Sequence, residues 1–514
     1  MPIPARLRAA ALTTAVLLSA LLAGCGGGPQ DDEDLTGQKL AWKDCPAPSQ
    51  AEGGGSAPSP LPDGDDWQCA TMKAPLDWDD PEGDTIGLAL IRAKASGAAD
   101  RRIGSLVFNF GGPGGSGVTT LPAFGQDYAK LRTRYDLVSF DPRGVGRSAP
   151  VECLDDEQLD TYFQQDATPD DAAERTELMD NTEKFNAACE KHSKRVLPHV
   201  ATTDAARDMD LMRQVIGDDK LYYFGISYGT ELGGVYAHLF PKNVGRAVFD
   251  AVVDPTQNAE QSSLGQAEGF QLALDNYAED CVSKVEDCPV GNSVQDVKNR
   301  IARLLKDLDR RPIPGIFPRD LTQTAATSGI AQALYSKDFW QYLTEGLEQA
   351  YAGDGRILMV LSDSLNGRSE NGEYSNITAA NISINCADDK PRYDPAYVEG
   401  KLPEFRKASP LFGDYLAWGL VSCTDWPVPG AAEHSDVSAP GAPPILVIGN
   451  TGDPATPYEG AAKMVDALGK GVGVELTYQG QGHGAYDSKN RCVQDAVHGY
   501  LLDGKVPAAG TVCS

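Results

Sequence analysis

Two parts of the chain alternate short apolar runs with segments of helical period. In the first, from about residue 85 to 255, Gly104–Phe110, Tyr135–Phe140, Leu221–Phe224 and Arg246–Val253 are β-prone runs, several of them closed by glycine or Asp-Pro. Glu231–Leu239 has a helical pattern, and Ile86–Ile91 reads as an edge strand. In the second, from about 440 to 514, Pro444–Gly449 and Val472–Tyr478 read as strands, and Pro457–Leu468 and Cys492–Leu502 as helices. Strands that are apolar along their whole length are buried on both faces. The fold class is therefore α/β, with a mostly parallel central sheet and helices on both faces.

Between these parts the alternation stops. Residues 256–410 carry helical patterns at 260–280, 294–309, 329–351 and 395–408, separated by Pro- and Gly-rich breaks. They predict an inserted, mostly helical cap. A smaller polar, helix-prone insertion spans 151–200. The expected organisation is a first core part at 67–255, the cap at 256–410 and a second core part at 411–514.

The N-terminus has another pattern. Arg6 and Arg8 precede an uncharged apolar run over 9–23, too short to span a membrane, which ends in Leu22-Ala23-Gly24-Cys25. Residues 1–24 read as a signal peptide. Leu-Ala-Gly-Cys resembles the bacterial lipoprotein box, which implies lipidation of Cys25 and a membrane met only through that anchor. Plain secretion is the alternative. Residues 25–66, rich in Gly, Asp, Pro and Ser, would be a flexible tether and loop.

Cysteine usage fits export. Ten cysteines remain besides Cys25, an even number. Spacing does not fix their connectivity. Nearest-neighbour pairing gives 45–69, 153–189, 281–288, 386–423 and 492–513, of which Cys281–Cys288 closes the shortest loop. There is no Cys-x-x-Cys and no histidine clustered with cysteine, so no metal site is expected. The formal net charge of -28 repels phosphate backbones, so nucleic acid is not an expected partner.

The chemistry centres on Gly225-Ile226-Ser227-Tyr228-Gly229. Gly-x-Ser-x-Gly between a strand and a helix is the nucleophile elbow of the α/β-hydrolase fold, and the apolar run before it and helical run after it supply that setting. A serine hydroxyl needs a base, and the base needs an orienting acid. In this fold the chain order is Ser, acid, His. His434, His483 and His498 follow Ser227 beyond its own helix. His483, glycine-flanked just past a strand, is the candidate base, whereas His498 falls in a predicted helix and His434 in a polar loop. Asp453, past the strand Pro444–Gly449, is the candidate acid, with Asp254 as rival. The glycine-rich loop Gly111-Gly112-Pro113-Gly114-Gly115 follows a strand and would supply an oxyanion N–H from Gly112, or alternatively Gly111, beside that of Tyr228.

Taken together, the glycine-rich loop, Asp141-Pro142-Arg143-Gly144-Val145-Gly146-Arg147-Ser148, the Ser227 elbow, Gly449-Asn450-Thr451-Gly452-Asp453 and Gly482-His483-Gly484 resemble the tripeptidyl-aminopeptidase-like exported hydrolases of actinobacteria, relatives of the proline iminopeptidases. The likeness runs from about residue 67 to the C-terminus. It implies an α/β-hydrolase core with a helical cap, no cofactor, and peptide substrates cleaved near a free N-terminus. A carboxylesterase or lipase using the same triad is the alternative. A free ammonium calls for nearby carboxylates, and Glu260, Glu268, Asp388 and Asp389 are available at the ends of the insertion. The choice among them stays open.

Overall fold

A computed structural model describes residues 35–284 and 288–514; the expected signal peptide and Cys25 lie outside the described residues. The described residues form twelve strands: β1 (Lys43–Asp44), β2 (Gln68–Pro75), β3 (Thr85–Ala93), β4 (Gly104–Asn109), β5 (Tyr135–Phe140), β6 (Leu221–Ile226), β7 (Val244–Asp250), β8 (Ile313–Pro314), β9 (Asp320–Leu321), β10 (Ile445–Gly452), β11 (Gly473–Gln481) and β12 (Thr511–Cys513). Ten of them make one sheet in the order β1-β2-β3-β5-β4-β6-β7-β10-β11-β12. From β5 through to β12 neighbouring strands run parallel, and β1, β2 and β3 attach antiparallel at one side.

The expected edge strand Ile86–Ile91 is not at the edge. It lies within β3, with β2 paired along its full outer side. The run Gln68–Pro75 hides this role because it carries Lys73 and ends in proline, and its inward residues Met72 and Ala74 are few. An antiparallel neighbour needs only a short turn, so such a strand can be added without a helix.

Successive residues of the central strands face opposite cores. Val107, Tyr223, Phe249 and Val447 pack on one side under the helices Thr202–Val215, Tyr228–Leu239 and Glu459–Leu468. Phe108, Phe224, Val248 and Ile448 pack on the other with Val118, Leu121, Val493 and Val497 of the helices Gly117–Phe124 and Arg491–Asp503. This alternation is why the strands read as continuous apolar runs.

Between β7 and β10 the described residues from Ala259 to Cys423 are mostly helical, with the short β8–β9 pair among the helices. This cap has its own core, built around Tyr277, Ile301, Leu321, Ile330, Leu343 and Leu358. The helical pattern at 329–351 is two helices, Gln323–Leu334 and Trp340–Tyr351, parted at Tyr335 and Ser336. All five nearest-neighbour disulfides are present. Among the described residues no helix is long and apolar enough to cross a membrane.

Candidate active site

In a parallel sheet the loops after the strand C-termini converge at one edge. The register here lines up Asn109 with Gly225, Ile226 with Asp250 and Gly452 with Gln481. The glycine-rich loop, the Ser227 turn, the Asp453 loop and the His483 loop all leave the sheet at that edge.

Ser227 sits at φ 58°, ψ -129°, left-handed backbone that a non-glycine residue adopts at a cost. The strain sharpens the strand-to-helix turn and lifts the side chain. Gly225 and Gly229 make the turn possible, since a Cβ on Gly225 would fall 2.3 Å from the Gly229 carbonyl oxygen, and one on Gly229 2.5 Å from that of Asn109. Ser227 lines a cavity of about 1180 Å³ beneath the cap.

Asp453 and His483 meet. The His483 Nδ1 is 2.8 Å and 3.0 Å from the two carboxylate oxygens of Asp453. Asp453 is fully buried and also accepts the N–H groups of Ala455 and Thr456, each at 2.9 Å. Burial opposes charging the His483 imidazole. The charge and hydrogen bond of Asp453, with the charge of Asp250 behind them, outweigh this and raise its pKa above the ordinary 6.5. The rival acid Asp254 instead closes a local turn through the N–H and hydroxyl of Thr256. His498 is bonded to the Tyr486 hydroxyl at 2.9 Å, and burial lowers its pKa. His434 lines the cavity, beside the Ser435 carbonyl and the charge of Asp436.

The two glycines of the oxyanion question differ. The Gly111 N–H donates to Asn109 Oδ1 at 3.0 Å, and a Cβ there would lie 2.7 Å from the Ile226 carbonyl and 2.8 Å from the Ser227 Cβ. Gly111 is thus a close-packed spacer with its donor engaged. Gly112, at φ +113°, lines the cavity, and its N–H has no partner among the described residues. The adjoining Asp141 loop anchors this one: Asp141 accepts the Ser116 hydroxyl at 2.6 Å, the Val118 N–H at 3.1 Å and the Arg147 N–H at 3.0 Å. Burial still raises the Asp141 carboxyl to about 6.

Of the four carboxylates considered for an ammonium, Glu260 is bound to Lys401 at 2.6 Å and to the Tyr397 hydroxyl, and lies outside the cavity lining. Glu268, Asp388 and Asp389 line the cavity. Asp388 accepts the Thr202 N–H at 2.8 Å and its hydroxyl at 2.6 Å, and that hydroxyl also meets the Tyr228 hydroxyl at 2.5 Å. Burial pushes Asp388 up to about 8 and Asp389 to about 6, with Glu231 adding like-charge repulsion to both.

Several contributors escape sequence reading. Tyr335 of the cap offers its carbonyl to the His483 N–H at 2.7 Å and sets its ring edge-on, 5.2 Å between centroids. Glu231 lies one helical turn after Ser227 and lines the cavity, and burial raises its pKa. Asp250, at the end of β7, bonds both the Ser227 turn and the His483 loop. A lone acid closing an apolar strand is the only sequence signal for Asp250, and a carbonyl such as that of Tyr335 leaves none.

Sheet order, the strained serine between strand and helix, and an Asp–His pair from later strands define an α/β-hydrolase. A family model described as TAP-like protein matches residues 409–513. Serine protease Hip1 of Mycobacterium tuberculosis is 35% identical over 512 residues, 96% of this chain and 95% of that one. Carboxylesterase B of the same species is 35% identical over 459 residues, 87% of this chain and 86% of that one. Tripeptidyl aminopeptidase of Streptomyces lividans is 30% identical over 485 residues, 92% of this chain and 86% of that one. The chain belongs to the tripeptidyl-aminopeptidase-like family of actinobacterial α/β-hydrolases, and it is a serine hydrolase.

Proposed function

We propose that the protein is an exported aminopeptidase that releases short peptides from the N-termini of its substrates. Ser227 attacks the scissile carbonyl, His483 takes its proton, and Asp453 holds the imidazole in the tautomer that can accept it. The N–H groups of Gly112 and Tyr228 stabilise the tetrahedral oxyanion. His483 then protonates the leaving amine, and water hydrolyses the acyl-enzyme by the same steps in reverse order.

The observation that favours a peptide amine over an ester is the charge of the cavity. Its lining includes Glu231, Asp254, Glu268, Asp388, Asp389, Asp436 and Glu459 and, among the described residues, no lysine or arginine. Like-charge repulsion from Glu231 raises both Asp388 and Asp389, and an ammonium among them would relieve it. At about 1180 Å³ the cavity exceeds the ~1,000 Å³ upper range of pockets for drug-sized ligands, room for several residues. The names of the Streptomyces and mycobacterial relatives support a peptidase. A carboxylesterase, the name of another relative, would use the same machinery.

Free and N-acetylated di- and tripeptide anilides, assayed beside short-chain esters, decide between them. Preference for the free tripeptide is the expected result. Equal cleavage of blocked and free peptides, or cleavage of esters alone, refutes the aminopeptidase reading.

For localisation, five disulfides fit an oxidising compartment. Lipidation at Cys25 is part of the proposal, and mass spectrometry of the N-terminal peptide from native membranes tests it.

A further inference from the structure

The nucleophile and base stand on loops far apart in sequence, and the chemistry needs them at a fixed spacing. One residue touches both loops. The Asp250 carbonyl accepts the Ser227 N–H at 3.1 Å. Its side chain accepts the Ala485 N–H at 2.9 Å and 3.1 Å and the Tyr486 N–H at 2.9 Å, two and three residues past His483. Asp250 is also paired with Ile226 across β6 and β7, so its own position is set by the sheet.

This acid is expensive to keep. It is 1% exposed, with no lysine, arginine or ion-pair partner among the described residues. The titratable groups around it are Asp453 and His483 on one side and Asp487 and Tyr128 on the other. Burial and the Asp453 charge push its carboxyl upward, against the hydrogen bonds of Tyr486 and Ala485 and the charge of His483. An apolar residue would avoid that cost but leave two buried N–H groups unpaired. An asparagine offers one acceptor, and its amide would confront one of those donors. Only a carboxylate accepts at both oxygens.

We propose that Asp250 is a positioning residue, a single clamp whose carbonyl fixes the Ser227 turn and whose carboxylate fixes the loop carrying His483, so that it sets the nucleophile–base spacing. It touches no substrate. The proposal rests on the triad reading but not on the identity of the substrate, so its effect must be the same for anilide and ester.

The experiment compares wild type, Asp250→Asn and Asp250→Glu, with a fluorophosphonate probe run to its endpoint to count Ser227 sites. Asparagine removes one acceptor; glutamate keeps the charge and both acceptors on a longer arm. In both variants kcat per labelled site should fall roughly 30- to 100-fold, with KM within about threefold, since displacement of a catalytic group by about 1 Å costs on this order. Labelling should reach its endpoint correspondingly more slowly. If kcat per labelled site stays within about twofold of wild type while only the labelled fraction falls, Asp250 serves folding alone and the proposal is overturned. Should Asp250→Asn yield no labelled protein, Asp250→Glu carries the same criterion. Labelling of Ser227→Ala would sink the triad reading and this proposal with it, whereas an intact triad with unaltered per-site kcat sinks this proposal alone.

Discussion

The N–H of His483 donates to the carbonyl of Tyr335 at 2.7 Å, so the loop carrying the candidate base is tied to the break between two cap helices. The cap is therefore part of the site's framework as well as its roof. The Tyr335 ring also packs edge-on against the imidazole. Removing the ring in Tyr335→Ala should lower kcat about tenfold or more by loosening His483, as small misplacements do. Tyr335→Phe keeps both the ring and the carbonyl that meet His483, so it should stay within about twofold of wild type. Steady-state kinetics of the pair separates packing from the hydroxyl.

The Asp453–His483 pair predicts a pH profile. His483 must be neutral to accept the Ser227 proton, and its pKa is raised above 6.5. Protonation therefore removes activity as the pH falls, and the acid limb of kcat/KM should lie above that ordinary value. Asp453→Asn removes the charge that raises the pKa. The limb should move to lower pH and kcat should drop by about 10⁴. A limb that stays in place would assign the titration to another group.

Asn109 and Gly111 make a prediction about stability. Asn109→Ala strips the acceptor from the Gly111 N–H at the back of the oxyanion loop. Leaving that donor unpaired should cost about 1–3 kcal/mol, measurable by denaturant unfolding. Gly111→Ala should act on chemistry instead. Its Cβ would press on the Ile226 carbonyl and the Ser227 Cβ, and kcat should fall about 10²-fold or more.

The acidic wall predicts a split by substrate. Asp389→Asn and Glu231→Gln should raise KM for free-amine peptides by about tenfold each, the scale of a lost charge-assisted hydrogen bond. N-acetylated and ester substrates should be indifferent. Burial pushes the Asp389 carboxyl up to about 6 and that of Asp388 up to about 8. A carboxylate attracts an ammonium only when ionised, so KM for free peptides should fall as pH rises through this window, until the amine itself deprotonates near ~8. A KM independent of pH and unchanged in both variants would remove the wall from substrate binding.

Much of this was legible because it is local. Gly225 and Gly229 flank Ser227 within one strand–turn–helix unit, and the steric demand that fixes both glycines acts over five residues. Asp453 and His483 each follow an apolar strand, and strand order in a parallel sheet brings such ends together. The alternation of apolar runs and helical periods likewise announced a sheet covered on both faces, although it misplaced β3 at the edge because β2 carries so weak a pattern.

The sequence by itself thus determined the fold class, the candidate nucleophile, acid and base, and an oxyanion loop with two possible donors. Only the tertiary structure decided which glycine keeps a free N–H, because that depends on where the Asn109 side chain turns. It alone separated Glu260, matched with Lys401, from Asp388 and Asp389, which face the cavity. It also revealed Asp250 and Tyr335, which act through backbone atoms or bridge loops distant in the chain. Periodicity and turn chemistry are properties of neighbours in sequence, whereas hydrogen bonds between loops are set by sheet register and cap packing, which no local pattern encodes.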